Sequence, residues 1–294
     1  MDNLNSSVLL ETAGAGSFKK AAEKLGYTQA GIAYSINNTE KAWGIKIFSR
    51  EYGGVTLTPE GELLLPLIQQ IHNAERQLAQ KINEINALQA GEIRIVAFEA
   101  ILANWIPGIV AAFHKDYPNI SFEFVSCENR DEAEKMVLCG DVDLGFFILP
   151  TAKALQTLKL AEEPMLAIVS PSHPLAGKTL FPAGRIADYP FIAMKNDANS
   201  ELAEIFQELG STPKPAFTVE SDSAAMAFVS QNLGYTIFSE TAVKSSPFPL
   251  CALPFDTPIY RTIVLGAKSL TDCSAVVKEF IRYTKDWVSP HILP

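Results

Sequence analysis

Cysteine, histidine and long apolar runs are all scarce in this chain of 294 residues. Its four cysteines, Cys127, Cys139, Cys251 and Cys273, are scattered, with no Cys-x-x-Cys and no paired spacing. That excludes a thiol-ligated zinc module. Buried free thiols are the plain reading, and a redox-sensing thiol is the other. The four histidines, His72, His114, His173 and His291, show no metal-ligand spacing either. The opening Met1-Asp2-Asn3-Leu4-Asn5-Ser6-Ser7 lacks a basic start and an apolar run, so no signal peptide is expected. No apolar stretch reaches the ~20 residues that span a bilayer, and a cytoplasmic protein away from membranes is expected. Basic charge is also short: 24 Lys and Arg stand against 33 Asp and Glu, a net −9. Gly14-Ala15-Gly16-Ser17 resembles a phosphate loop only superficially, because no Gly-Lys-Ser/Thr follows. Ser170-Pro171-Ser172-His173-Pro174 is bounded by prolines and reads as a turn rather than a nucleophile–base pair. No catalytic residue, metal or cofactor is expected.

What is present starts with a hydrophobic content of 48% and a charged content of 19%, as in a globular protein long enough for two or three units. The charge is unevenly placed. Residues 1–60 hold six basic and six acidic side chains, so the whole excess of acid lies beyond them. The first sixty residues are therefore the neutral part of an acidic chain. Within them, Gly16–Glu40 reads as two short helices around a tight turn. Ser17 suits a cap, Phe18, Ala21, Ala22 and Leu25 form one apolar face, and Gly26 suits a left-handed stop. Thr28 suits a second cap, and Ile32 and Ile36 give the second helix an inward face. Any small three-helix core has similar spacing, but this is also the pattern of a helix-turn-helix whose second helix enters the DNA major groove. Residues near Asn3–Ala15, with Val8, Leu9 and Leu10, form a supporting first helix. Gly53-Gly54 joins two short extended runs into a wing.

The residues Gly16-Ser17-Phe18, Ala21-Ala22, Leu25, Thr28-Gln29, Ile36, Glu40, Gly44, Ile47-Phe48, Arg50, Leu57-Thr58 and Gly61 resemble, in order and spacing, the N-terminal signature of the LysR-type transcriptional regulators. The departures are Gln29-Ala30-Gly31-Ile32-Ala33 in place of Gln-Pro/Ser-Ala-Val-Ser, Thr39 in place of Leu, and Gly53 where Arg often reaches the DNA backbone. The expected DNA contacts are Ser17, Lys19, Thr28, Gln29, Ala30, Gly31, Ala33, Tyr34, Asn37 and Arg50. Gln can pair with adenine, and a methyl can meet a thymine methyl. Lys46 and Arg50 either touch phosphates or are solvated charges. Gly31 costs roughly 1 kcal/mol relative to Ala inside a helix. Either close approach to DNA or to another backbone explains it, or the helix is a poor one. With a neutral reading head, DNA binding is expected to be modest, salt-sensitive and reliant on dimerisation.

Thr58-Pro59 reads as a cap and first helical residue of a helix running to Ala90. Leu64, Leu67, Ile71, Ala74, Leu78, Ile82, Ile85 and Leu88 recur at steps of three and four, a heptad-like seam. Pro66 is expected to kink or interrupt the first turns. The seam needs either a partner helix or a place along its own C-terminal domain. The family resemblance implies a linker helix that makes the dimer.

Beyond residue 90, strand and helix patterns alternate: strands at Glu92–Phe98, Ile120–Val125, Asp143–Ile148, Met165–Val169, Phe191–Ala193, Ala216–Val219, Tyr235–Phe238 and Tyr260–Leu265, and helices between and after them. Such alternation predicts parallel strands joined by helical crossovers. Pro107, Phe113, Tyr117-Pro118, Gly140-Asp141-Val142-Asp143-Leu144-Gly145, His173-Pro174-Leu175-Ala176 and Leu233-Gly234-Tyr235-Thr236 are similar to the family's effector domain. The resemblance implies a multidomain chain. A winged helix-turn-helix, all-α apart from its wing, spans 1–58, and a linker helix spans 59–90. An α/β effector domain like periplasmic binding proteins spans 91–294, with lobe I as 91–162 plus 260–294 and lobe II as 163–259. Strand ends point to Glu99, Ala100, Ile101, Ser126, Cys127, Glu128, Phe147, Lys195, Asn196, Ser221 and Phe238 as effector contacts. The family's usual Ser or Thr after the first strand is missing at Glu99-Ala100-Ile101. A neutral or cationic effector is therefore expected, or an acid held by Lys195 alone; otherwise Glu99 simply faces solvent or steadies a helix N-terminus.

The implied partners are double-stranded promoter DNA with a roughly palindromic site, a small-molecule effector, further copies of the chain in a dimer or tetramer, and RNA polymerase. The rival reading is a small-molecule-binding protein of this fold with weakened or lost DNA reading, motivated by Ala30, Gly31, Ala33, Gly53 and the neutral head.

Overall fold

The computed structural model describes residues 4–51, 54–85, 91–195, 201–244 and 246–292. The first helix, α1 (Ser6–Ala15), is capped by Asn5, whose carboxamide oxygen accepts the Val8 N–H at 3.2 Å. Helix α2 (Phe18–Leu25) is capped by Ser17 and stopped by Gly26 at φ 70°. Helix α3 (Gln29–Trp43) is capped by Thr28, which accepts the Gly31 N–H at 3.0 Å. Strands β1 (Phe48–Glu51) and β2 (Gly54–Leu57) pair antiparallel as the wing. Val8, Leu9, Phe18, Ala22, Ile32, Ile36, Ile47 and Phe48 close one core, to which Ile68 of the next helix contributes. Thr39, at the position where Leu was usual, is buried with its hydroxyl donating to the Ser35 carbonyl at 3.2 Å. The polar group is satisfied inside the helix, so the departure does not leave a buried orphan.

Helix α4 (Pro59–Ile85) begins where Thr58 accepts the Gly61 N–H at 3.0 Å and donates to the Lys46 carbonyl at 2.6 Å. A β-carbon on Gly61 would collide with the Ile47 carbonyl oxygen, so only glycine lets the helix lie this close to the wing. The helix runs unbroken through Pro66, where a kink or an interruption was expected. Pro66 is exposed, and Ile68 pins the next turn into the head core, so packing outweighs one lost backbone hydrogen bond. The expected continuation to Ala90, including Leu88, lies outside the described residues.

The rest of the chain is a two-lobed α/β domain. Lobe I contains β3 (Gly91–Ala97), α5 (Glu99–Asn104), α6 (Ile106–Asp116), β4 (Ile120–Ser126), α7 (Arg130–Cys139) and β5 (Leu144–Ile148). The long strand β6 (Gln156–Val169) leads into lobe II. There follow β7 (Phe191–Met194), α8 (Glu201–Glu208), β8 (Pro215–Val219), α9 (Asp222–Ser230), β9 (Thr236–Ser239), α10 (Glu240–Lys244) and β10 (Cys251–Pro254). Strand β11 (Tyr260–Ala267) and helix α11 (Ala275–Ile292) return to lobe I. The large sheet is ordered β10-β6-β11-β5-β3-β4, with β9 also on β6; β7 and β8 form a separate pair.

Among the described strands, the parallel pairs are β3–β4, β3–β5 and β7–β8. Strand β11 runs antiparallel to β5 and β6, and β6 runs antiparallel to β9 and β10, contrary to the all-parallel expectation. The reason is not local: β5 and β6 run in the same direction without pairing, because β11 returns after lobe II and inserts between them, antiparallel to both. Residues Gln156–Pro164 of β6 pair with β11, and Met165–Val169 pair with β9 and β10. One strand thus feeds both lobes. Leu160 and Ala161 pack with Ile93, Phe113 and Phe280 in lobe I, while Met165 and Ala167 pack with Phe181, Phe191 and Tyr235 in lobe II. The helices α5 and α10 and the strand β10 had no periodic signal long enough to predict them.

Candidate DNA-reading face and effector cleft

Helix α3 buries Ile32 and Ile36 against the head core, which turns Gln29, Ala30, Tyr34 and Asn37 outward. Tyr34 is 70% exposed, an unusual state for an aromatic ring. Gly31 and Ala33 are half-buried, and Thr28 is occupied as the cap. A β-carbon on Gly31 would sit 3.2 Å from Thr28 Oγ1, so the glycine makes room for the cap itself. Ser17 is likewise the cap of α2, and Lys19 is exposed beside Glu23. Arg50 stands in the wing opposite Val55. Tyr27, exposed at the turn before α3, was not singled out by the sequence; its position outside any apolar period was the missed signal.

Lys46 is not a free cation. Its ammonium donates to Glu40 Oε2 at 2.5 Å, and Glu40 Oε1 accepts the N–H groups of Ile47 and Phe48 at 2.9 and 3.1 Å. Burial alone would raise the Glu40 carboxyl, but the Lys46, Phe48 and Ile47 donors outweigh it and hold it below the ordinary range. Glu40 therefore ties the end of α3 to the wing.

In the effector domain, helix α5 of lobe I packs against α10 of lobe II beside the crossing strands. The strand-end residues Glu99, Ser126, Cys127 and Glu128 come together. Glu128 Oε1 accepts the Glu99 N–H at 2.8 Å, and Ser126 Oγ donates to Glu99 Oε2 at 3.3 Å. The Cys127 thiol donates to the Asn129 carbonyl at 3.4 Å, and burial pushes its pKa up. Ala100 is half-buried beside them. Across in lobe II, Lys195 and Glu220 form an exposed pair at 2.5 Å, each favouring the other's charged form, and Ser221 caps α9. Asn196 lies outside the described residues.

Three expected contacts are core side chains instead. Ile101 packs with Ile93 and Trp105, Phe147 with Val96 and Val137, and Phe238 with Ile192 and Val229. Phe147 and Phe238 lie at strand ends, which carry side chains to both faces of the sheet, and theirs point inward; Ile101 is the buried residue of helix α5. The sequence also missed a buried polar network at the crossing. Glu163 Oε1 accepts the Thr241 N–H at 2.6 Å, Arg261 Nη2 donates to Ser239 Oγ at 2.8 Å, and the Arg261 guanidinium lies 5.0 Å over the Phe98 ring. The available signal was a charge of each sign, Glu163 and Arg261, beside the two expected lobe boundaries.

Ser170-Pro171-Ser172-His173-Pro174 is a turn closed by His173 N–H to the Ser170 carbonyl at 2.9 Å. His173 Nδ1 accepts from the Leu175 N–H, and burial lowers the pKa of the ring, so the imidazole serves the backbone. Among the described residues no three His, Cys, Asp or Glu side chains come together as a metal site, and no helix is long and apolar enough to cross a membrane.

Residues 6–62 match the family profile of bacterial regulatory helix-turn-helix proteins of the lysR family, and residues 86–289 match the LysR substrate binding domain. The chain is 26% identical over 283 residues to the uncharacterized HTH-type transcriptional regulator YvbU of Bacillus subtilis, covering 95% of this chain and 96% of that one. It is 26% identical over 241 residues to the HTH-type transcriptional regulator GltR of the same organism, covering 81% and 79%. The crystal structure of CbnR, a LysR family transcriptional regulator, superposes with a TM-score of 0.71 at 17% identity, covering 96% of this chain and 98% of that one. The same score holds for full-length CbnR complexed with its target DNA.

Proposed function

The chain belongs to the LysR family of transcriptional regulators, with a helix-turn-helix DNA-binding domain and an effector-binding domain, and on that premise we propose which of its residues carry each step. The outward face of α3 reads the major groove. Gln29 and Asn37 meet adenine edges, and Ala30, Ala33 and Tyr34 meet thymine methyls. Ser17, Lys19, Thr28 and Arg50 hold phosphates, and Gly31 lets the cap approach. The observation that carries this is the exposure of Tyr34 on a helix whose opposite face is fully buried. Residues 1–58, 59–90 and 91–294 act as reading head, linker and effector domain.

Helix α4 dimerises. Its side chains Ile68, His72 and Glu75 face the head, and Asn73 and Arg76 face lobe I. Leu63, Leu67, Leu78 and Ile82 are left exposed on a remaining side, an apolar stripe suited to a second copy. Dimers or tetramers then span a roughly palindromic promoter site in the cytoplasm, in reach of RNA polymerase.

The effector is a small molecule bound between the lobes near Glu99, Ala100, Ser126, Cys127, Glu128, Lys195, Asn196 and Ser221. The Glu128 carboxylate already occupies the Glu99 N–H at the start of α5, and Lys195 is already paired, which favours a neutral or cationic molecule. A titration that found only carboxylate ligands, unaffected by Glu99→Ala, would overturn that choice.

The test of the whole reading is fluorescence anisotropy with the DNA upstream of the chain's own gene, against scrambled DNA, at two salt concentrations. Preference for the upstream DNA is expected. Equal and weak binding to both would favour a ligand-binding protein that no longer reads DNA.

A further inference from the structure

Strand β6 changes partner between two consecutive residues. Pro164 pairs with Tyr260 of β11, on the lobe I side, and Met165 pairs with Ser239 of β9, in lobe II. A turn of one lobe against the other concentrates at such a point, where few ladder contacts oppose it. Four buried polar side chains straddle it. Glu163 and Arg261 face each other just before it, Ser239 lies at it, and Thr241 stands in the first turn of α10 just beyond.

Their hydrogen bonds cross the point. The Glu163 carboxylate accepts the Arg261 Nε–H on Oε2 at 2.8 Å and the Thr241 N–H on Oε1 at 2.6 Å. Arg261 Nη2 donates to Ser239 Oγ at 2.8 Å. The same Ser239 oxygen accepts the Ala242 N–H at 3.2 Å, so one hydroxyl serves both the guanidinium and the start of α10. On the other side, the guanidinium lies 5.0 Å over the ring of Phe98, the residue immediately before α5. Helices α5 and α10 pack on each other. One ion pair therefore reaches the starts of both helices that meet between the lobes.

Moving the lobes apart breaks this arrangement at a buried place. Drawing α10 away takes the Thr241 N–H from Glu163 and the Ser239 oxygen from Arg261, and leaves two buried charges short of partners. Drawing α5 away takes the aromatic face from the cation.

We infer that Glu163 and Arg261 are a strap that holds the two lobes at one opening while the cleft is empty, with Phe98 and the start of α10 as the points it holds. A carboxylate, a hydroxyl and an aromatic face make a guanidinium site, and the chain fills it with its own Arg261. An effector then enters a cleft whose opening is already set, and its binding does not wait on closure of the lobes. That consequence rests on reading the cleft as the effector site; the strap does not.

The test is pulsed electron–electron spin resonance on the full chain, with the four cysteines replaced by alanine and excess unlabelled protein to isolate distances within one copy. One label pair spans the lobes, at exposed Lys115 and Ala187; a second, at exposed Lys115 and Lys268, lies within lobe I and reports its fold. The parent chain is expected to give one narrow distance between the lobes. Arg261→Ala should broaden it and leave the pair inside lobe I unchanged. Guanidinium ion at low millimolar concentration should then restore the narrow distance, and the same concentration of urea, which has the shape without the charge, should not. Should Arg261→Ala unfold, Ser239→Ala, which removes the lobe II partner of Nη2 and keeps the ion pair, is measured in its place, with broadening again expected. A distribution already broad in the parent chain, or one unchanged in a folded variant, overturns the inference. So does a broadening in Arg261→Ala that guanidinium and urea reverse alike or not at all. Neither DNA nor effector is added, so failure of the regulator reading would leave the strap standing.

Discussion

Arg261 and Glu163 stand directly opposite each other where β11 and β6 cross between the lobes, and Glu163 Oε2 receives both Nε and Nη2 of the guanidinium at 2.8 Å. Both side chains are buried. The pair reaches lobe II through Ser239 and Thr241 and lobe I through the Phe98 ring. It is the one place described where a single guanidinium touches both lobes.

Breaking this pair from one side leaves a buried charge alone. Glu163→Gln or Arg261→Met should each destabilise the effector domain by about 3–5 kcal/mol. Replacing both with apolar residues should cost less than the sum of the two. Urea denaturation of the three variants checks this, and strict additivity would show that the two side chains do not act as a unit.

Glu40 gives the reading head a pH dependence whose sign is set by its lowered pKa. A depressed folded-state carboxyl stabilises at pH above the ordinary glutamate value of about 4.3, and that contribution is lost as pH falls through the lowered folded value. Glu40→Gln should therefore weaken the head at pH 7, with the gap from the parent chain closing in acid. Thermal unfolding followed between neutral and acid pH measures it; a gap constant with pH would contradict the assignment.

Tyr34→Ala should cost about tenfold in affinity for the upstream DNA and little for scrambled DNA, because a base-edge contact is worth about 1–3 kcal/mol. Replacing thymine with uracil in that DNA removes only the methyl groups and should reproduce part of the loss. Lys19→Ala should lower binding to both DNAs alike and flatten the salt dependence by about one ion. A uniform loss for Tyr34→Ala would make the ring a backbone contact.

Leu78→Lys with Ile82→Lys should turn oligomers into folded monomers, since both side chains are exposed within one chain and lie on the α4 stripe. Light scattering after size exclusion reads the mass. An unchanged mass with unchanged circular dichroism would remove α4 from the dimer interface.

Gly61→Ala should destabilise the head by about 1–3 kcal/mol, because the new methyl meets the Ile47 carbonyl and one of the two elements must shift. The shift in denaturation midpoint measures it.

Local chemistry was legible in the sequence. Ser17, Thr28 and Gly26 act as the caps and stop that their types suggest, because capping depends on three or four neighbouring residues. The apolar period of α4 and the strand–helix alternation were likewise readable, since burial on one face imposes a period. What tertiary structure decided was direction and partnership. Phe147 and Phe238 turned inward rather than to the cleft because a strand end shows both faces and only the neighbouring strand settles which is covered. Strand β6 runs antiparallel because of where β11 returns, almost a hundred residues later in the chain. Asp143 and Arg76, or Glu163 and Arg261, look like ordinary polar residues until the fold brings them together. Sequence determined the elements and their caps, which are short-range; the joints between head, linker and lobes were decided by contacts 60–100 residues apart.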